Sequence, residues 1–234
     1  MSNKILSSQE IINIAGATTG QSNNPKWFEY RKDRLTGSLF GQAIRAHDNP
    51  TPYNIATLNS NIAGGKDLSH IEAVQWGREF ENSAIASYCT VTGRKVKPTG
   101  LWLFPNGYLG ASPDGLVYNQ PSHANPSGIL EVKCPYSVRF LHYADMLAAN
   151  NLPRYITSDF ELDTNHDYYH QVQGQLYATQ AAWCDFVMWT TKSTLITRVY
   201  PSRDWVAECI PKLSSYYINH YLPTTRNEKT LSIT

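Results

Sequence analysis

Hydrophobic positions recur at helical intervals toward both ends of this chain and in short alternating runs through its middle. Ser7-x-x-Glu10 has the form of a capping box and opens a short helix through Ile11, Ile12 and Ile14. Residues 15–25, rich in Gly, Thr, Ser and Asn, predict a loop, and Trp27 to Tyr30 a helical turn after Pro25. Thr36-Gly37-Ser38 opens a second helix through Leu39, Phe40 and Ile44. Residues 46–68 are polar, with two Pro and two Gly, and predict a partly ordered surface excursion. Ser69-x-x-Glu72 repeats the capping pattern before a long helix that ends near Gly93. On that helix Ile71, Val74, Arg78, Glu81, Ile85 and Tyr88 share one face.

The runs Leu101–Phe104, Tyr108–Ala111, Gly115–Tyr118 and Gly128–Cys134 are separated by turn sequences and read as strands. A helix around Val138–Ala149 follows, then another from about Asn165 to Ala182. The strands Phe186–Thr190 and Leu195–Tyr200 and a last helix over roughly Asp204–His220 complete the pattern. This order predicts an α/β fold, a mixed sheet flanked by helices, in one domain over residues 1–234.

Within the strand Ile129-Leu130-Glu131-Val132-Lys133-Cys134 the side chains alternate between faces. Glu131 and Lys133 emerge beside Ile129; Leu130, Val132 and Cys134 take the other face of a half-buried strand. Upstream, Asp114 sits in the turn sequence Ser112-Pro113-Asp114-Gly115. Two carboxylates can hold a hard divalent cation through oxygen, and Mg²⁺ suits such ligands. A lysine two residues beyond the second acid faces the same water. Together they form a set able to hydrolyse a phosphodiester. An E-x-K on a strand also arises as a plain surface alternation of charges, and Pro-Asp-Gly as a plain β-turn. Only the metal-site reading explains why all three residues occur together.

Composition narrows the classes. With 41% hydrophobic residues the chain predicts a folded core, and a net charge of +1 requires any nucleic-acid surface to be a local cluster of basic groups. Cys89, Cys134, Cys184 and Cys209 form no C-x-x-C pair, which speaks against zinc and iron–sulfur sites and fits a reducing cytosol. The first residues lack the apolar stretch of a signal peptide, and no segment nears the roughly 20 apolar residues that span a bilayer. The expectation is a soluble cytoplasmic protein without a membrane partner. Neither a G-x-x-x-x-G-K-[ST] loop nor a G-x-S-x-G elbow is present.

Other candidates carry competing readings. Glu81 is a third acid for the site or a helix-face partner of Arg78. Gln173 shares a helix face with Tyr169, Leu176 and Tyr177; it bonds a reacting water or phosphate, or it packs. His166 and His170 have zinc-compatible i, i+4 spacing but lack the Glu of H-E-x-x-H, which favours two partly exposed histidines. Arg31, Lys32 and Arg34 precede Thr36-Gly37-Ser38, so they read as a solvated run or as a phosphate pocket at a helix start.

Five strings occur in order: Trp27-x3-Arg31-x6-Ser38, Trp76-Gly77-x3-Glu81-Asn82, Ser112-Pro113-Asp114-Gly115, Leu130-Glu131-Val132-Lys133-Cys134-Pro135 and Gln171-Val172-Gln173. Asp114 with Glu131-x-Lys133 looks like the PD-(D/E)xK nuclease motif. The whole set resembles the lambda-exonuclease family, the YqaJ-type viral recombinases, over a motif-bearing core of about residues 25–190, with residues 191–234 as a C-terminal strand-helix extension. The resemblance implies a restriction-endonuclease-like core and a Mg²⁺-dependent exonuclease, with Mn²⁺ able to substitute. Such an enzyme digests one strand of duplex DNA from its 5′ end and leaves a 3′ single-stranded tail. By match, Asp114, Glu131 and the Val132 carbonyl are metal ligands, and Lys133 positions the water. Glu81 and Gln173 complete the site, Arg31 and Ser38 hold the 5′-phosphate, and Ser112 borders the scissile phosphate. Arg34 is a second arginine near that pocket. The family also implies a ring-shaped homotrimer, a single-strand annealing partner, and a phage or prophage setting in a bacterial host. A restriction-type endonuclease and a noncatalytic DNA-binding relative are the alternatives on the same fold.

Overall fold

The computed structural model describes residues 5–119 and 126–225. Helix α1 (Ser8–Ala17) opens with the capping box read from the sequence: the Ser7 hydroxyl accepts from the Glu10 N–H, and the Glu10 carboxylate accepts from the Ser7 N–H at 2.8 Å. Helix α2 (Pro25–Arg31) starts on Pro25 behind an Asn24 cap, where a missing N–H costs nothing. Strand β1 (Leu35–Thr36) and a 3-10 turn over Gly37–Leu39 lead into α3 (Phe40–Asp48), followed by α4 (Pro52–Ile62) and α5 (Glu72–Thr92). Strands β2 (Lys95–Lys97), β3 (Trp102–Leu103), β4 (Leu109–Ala111), β5 (Gly115–Tyr118) and β6 (Gly128–Lys133) come next. Helices α6 (Tyr143–Ala148) and α7 (Asp167–Thr179), strands β7 (Cys184–Trp189) and β8 (Thr194–Val199), and helix α8 (Arg203–Tyr216) with one π-helical turn over Tyr217–Tyr221 finish the described chain.

The expected mixed α/β architecture is present as two sheets. The larger has the order β2-β5-β6-β7-β8, with β6 and β7 parallel and the other pairs antiparallel. The smaller has the order β1-β4-β3. Strand β6 lies at the centre of the larger sheet. Its alternation is as read, but it is not half-buried: both faces are covered. Ile129 packs with Val172 and Leu176 of α7, whereas Leu130 and Val132 pack with Ala84 and Tyr88 of α5. A parallel pairing needs a crossover that lays a helix on the sheet, and here α7 is part of that crossover.

Three expectations need correcting. Residues 46–68 contain α4, started by the Thr51 cap and Pro52, and its Leu58 and Ile62 are fully buried in the core with Phe40, Leu213 and Tyr216. Ile55, Leu58 and Ile62 form an apolar stripe at i, i+3, i+7 that the surrounding polar residues disguise. Ser69 does not cap α5; its first flanking residue is Ile71, which has no side-chain cap. The helix expected over Val138–Ala149 is confined to α6, preceded by a 3-10 turn over Tyr136–Val138. Strands β1 and β2, two and three residues long at sheet edges, were not legible as strands. Strand β8 and helix α8 form the described part of the expected C-terminal strand-helix extension, and Trp205, Tyr217 and Tyr221 lie in the same core cluster as Leu35 and Leu58.

The burial of α4 generates a stability test. Leu58→Ala removes a side chain that is 0% exposed, and the fold should lose about 2–5 kcal/mol in denaturant unfolding. Tyr53→Ala on the same helix, at a residue 78% exposed, should change stability by less than about 0.5 kcal/mol. Equal effects from the two variants would show that α4 does not dock through Leu58.

Candidate active site

The Pro113-Asp114 turn is fixed before any chemistry begins. Asp114 N–H donates to the Leu130 carbonyl at 2.9 Å, so the turn is clamped to β6. Gly115 is required next, because a Cβ there would sit 2.3 Å from Val96 Cγ1. Gln21, in the left-handed region at φ 45°, donates from Nε2 to the Pro113 carbonyl at 2.7 Å. Trp27 Nε1 donates to Ser112 Oγ at 3.0 Å. Two N-terminal segments therefore hold the turn from outside the sheet.

One carboxylate oxygen of Asp114 accepts from the Val132 N–H at 2.7 Å, which ties the turn to the strand carrying the second acid. Glu131 is 2% exposed, and three donors meet it. Lys133 Nζ and Gln171 Nε2 reach Oε1 at 2.5 and 2.7 Å, and Gln175 Nε2 reaches Oε2 at 2.6 Å. Gln175 also donates to the Ser112 carbonyl at 3.2 Å, so α7 braces the turn and the strand together. The Lys133 ammonium stands 4.3 Å from the ring centre of Tyr168. Asp114, Glu131, Val132, Lys133 and Glu81 all line one cavity of about 320 Å³.

Electrostatics in this cavity are unbalanced. Burial, then the charges of Glu131 and Glu81, push the Asp114 carboxyl well above its ordinary value, against the pull of Lys133 and the Val132 N–H. Partial desolvation and the charge of Glu131 also raise Glu81, with Lys133 opposing. Burial works against the Lys133 ammonium, yet Glu131, Tyr168 and Asp114 hold its pKa above the ordinary lysine value. Three carboxylates face two cations in the cavity wall, Lys133 and Arg78, and this excess of carboxylate oxygen suits a divalent cation. Among the described residues no group of three or more His, Cys, Asp or Glu is arranged as a ready metal cage, so the fit rests on Asp114, Glu131 and main-chain oxygen.

The basic cluster divides. Arg31 is half-buried, and its guanidinium lies 4.2 Å from the centre of the Trp27 ring and makes no hydrogen bond or ion pair with the described residues. Burial without a compensating anion lowers its pKa to about 10, still far above neutrality, so it remains a cation. Arg34 differs: its Nε and Nη1 donate to the Gly107 and Tyr30 carbonyls at 2.8 and 2.6 Å, which makes it a brace between α2 and the turn before β4. Ser38 is exposed on the Gly37–Leu39 turn. That turn packs on α7, since a Cβ at Gly37 would lie 3.6 Å from Gln171 Cγ.

Gln173 does not line the cavity of the acids: it is 1% exposed, with its amide bonded to the Tyr200 carbonyl and the Ser202 N–H at 2.9 Å each. Gln171 and Gln175 hold Glu131 instead. Their i, i+4 spacing was the available signal, because it puts both amides on one helix face. His166 caps α7 and His170 accepts from Trp205 Nε1 at 2.9 Å, so each ring already serves the fold rather than a shared zinc.

Known proteins share this sequence pattern and fold. The YqaJ-like viral recombinase domain profile matches residues 26–182. An alkaline nuclease of Orgyia pseudotsugata multicapsid polyhedrosis virus is 24% identical over 85% of this chain and 48% of its own length. This chain spans about half the length of the curated alkaline nucleases it matches. An alkaline exonuclease of Laribacter hongkongensis superposes with a TM-score of 0.65 at 24% identity, covering 89% of this chain and 99% of that one. A SOX–DNA complex superposes with a TM-score of 0.58 at 12% identity, covering 89% and 70%. The fold is thus the restriction-endonuclease-like fold of the alkaline exonucleases, and the chain belongs to the YqaJ-like viral recombinase domain family.

Proposed function

We propose that this chain is a metal-dependent deoxyribonuclease that digests one strand of duplex DNA from a 5′-phosphorylated end and leaves a 3′ single-stranded tail. The carrying observation is the convergence of Asp114, Glu131 and Lys133 in one cavity. Asp114, Glu131 and the Val132 carbonyl would hold Mg²⁺, or Mn²⁺ in its place. When bound, that ion supplies Lewis acidity at the phosphate and an activated water. Lys133 is anchored by Glu131 and orients the attacking water, while Gln171 and Gln175 keep the Glu131 carboxylate in register. The likeness to alkaline nucleases, to an alkaline exonuclease and to a DNA complex supports this reading.

A restriction-type endonuclease would use the same acids. Arg31 favours end recognition: it is an unpaired, partly desolvated cation stacked on the indole that bonds Ser112, one residue before the Pro113-Asp114 turn. A 5′-phosphate is a dianion that a guanidinium binds through charge-assisted hydrogen bonds. A ring-shaped homotrimer and a single-strand annealing partner belong to the same proposal and rest on the family alone.

Incubation with linear and closed-circular duplex in Mg²⁺ tests the reading. The linear substrate should be degraded and the circle spared; a cut circle would favour the endonuclease. Asp114→Asn, Glu131→Gln and Lys133→Ala should each lower the rate by about 100-fold or more, in keeping with loss of a charge-stabilising group. EDTA should stop the reaction, and Ca²⁺ should restore little of it, because its looser coordination replaces a tight octahedron poorly. Near-normal turnover in either acid variant, or activity surviving chelation, would contradict the assignment.

End recognition has its own measurement. Initial rates on 5′-phosphorylated and 5′-hydroxyl duplex should show a preference for the phosphate in the wild type. Arg31→Ala should erase most of it while slow cutting persists. Arg34→Ala should leave the preference and lower thermal stability, since its bonds run to backbone carbonyls. A full preference retained in Arg31→Ala would place the phosphate pocket elsewhere.

A further inference from the structure

Helix α5 contributes to the walls of two cavities. The cavity of the acids takes Val74, Gly77, Arg78 and Glu81 from it. A second cavity, of about 350 Å³, takes Arg78, Glu81, Asn82 and Ile85. Arg78, Glu81 and Asp114 belong to both walls, so the two spaces meet at the acids with Arg78 on the shared rim. Beyond that rim the second cavity is lined by neutral polar groups, among them Gln21 and Asn23 of the 3-10 turn before α2 and Thr99 after β2.

Arg78 is exposed, and it makes no hydrogen bond or ion pair with the described residues. The helix-face pair with Glu81 that its spacing allows is therefore not made. Its charge is felt by Asp67, which is itself fully exposed, and water screens such an interaction heavily. A cation left unpaired on a rim shared with three carboxylates is open to an incoming anion. The strand proposed to enter this site brings three phosphates near it: the 5′-terminal one, the scissile one and the next one inward. Arg31 is assigned the first, and Asp114, Glu131 and Lys133 act on the second. The third is unassigned, and the second cavity gives the strand room to continue past the acids. We propose that the Arg78 guanidinium binds the phosphodiester one nucleotide 3′ of the scissile linkage, making Arg78 a further substrate-binding residue. This rests on the nuclease reading. A guanidinium grips a phosphate through two charge-assisted hydrogen bonds. Such a contact carries no base information and fixes the register of the strand over the acids.

A methylphosphonate removes the charge of a single linkage, so it can locate the contact. Single-turnover release of the first nucleotide in Mg²⁺ should be followed on linear 5′-phosphorylated duplexes. These are unmodified or carry one methylphosphonate at the second or the fifth linkage of the digested strand. Arg78→Ala should raise the enzyme concentration for half-maximal rate by about 10-fold on the unmodified duplex, with the maximal rate little changed, and Arg78→Lys should lie between. The neutral second linkage should cost the wild type about the same factor and Arg78→Ala less than about 2-fold, whereas the fifth should affect both enzymes alike. The Tm of Arg78→Ala should equal that of the wild type, since an exposed side chain without partners is removed. Wild-type half-saturation in Arg78→Ala overturns the inference. So does an equal penalty from the second linkage in both enzymes, which would leave Arg78 only a diffuse attraction. Loss of the preference for a 5′-phosphate over a 5′-hydroxyl in Arg78→Ala, with the second-linkage penalty unchanged, moves the residue to the terminal phosphate and also overturns it. A wild type inert on the unmodified duplex with Mg²⁺ and Mn²⁺ overturns the nuclease reading, and this inference with it. An active wild type and an inactive Asp114→Asn, beside an unaffected Arg78→Ala, overturn this inference alone.

Discussion

A carboxylate buried in the middle of a sheet dominates this structure. Glu131 lies on the central strand of five and is 2% exposed, so its charge would be prohibitive without partners. Lys133, Gln171 and Gln175 supply them, and each brings an element with it. The glutamines commit α7 to one rotation about its axis, the lysine fixes the end of β6, and the second bond of Gln175 draws in the turn at Ser112. Asp114 then joins through the Val132 N–H. The geometry proposed for chemistry and the bonds that neutralise a buried charge are the same set of contacts.

A second buried acid works differently. Asp185, on β7, is 1% exposed and receives the Tyr88 hydroxyl at 2.6 Å and two bonds from Arg198 at 2.8 and 3.0 Å. Arg198 and Arg94 also lie over the Trp183 ring. Here the charge is matched by two arginines, so the group pins α5 to the sheet. The contrast is chemical: Asp185 is compensated, whereas the three acids at the other site outnumber Lys133 and Arg78.

Much of this was legible in the sequence. The capping box of α1, the Gly93 end of α5 and the alternation of β6 are local, period-dependent signals, and each appears where the residues place it. Asp114, Glu131 and Lys133 were recognisable because a turn and a strand carry them at short range. What failed depended on contacts between distant segments. Nothing within residues 46–68 shows that α8 and the Tyr217–Tyr221 turn will cover Leu58 and Ile62. The face of α7 that meets Glu131 is set by the sheet beneath it, so Gln173 and its neighbours two residues away could not be ranked by periodicity alone. Arg34 looks like Arg31 in sequence and differs only in the carbonyls that the fold brings within its reach.

The parallel pairing of β6 with β7 has a kinetic meaning. Ile129 pairs with Cys184 and Lys133 with Met188, so one edge of the strand bearing the lysine stays unpaired until the chain just beyond α7 has been made and has folded back. Such distant pairings carry a loop-closure cost that local contacts do not, and they form late. The amides that orient Glu131 arrive on the same crossover. A partly folded chain therefore leaves Glu131 without the amides of α7 that orient it, and completion of the site is coupled to completion of the central sheet.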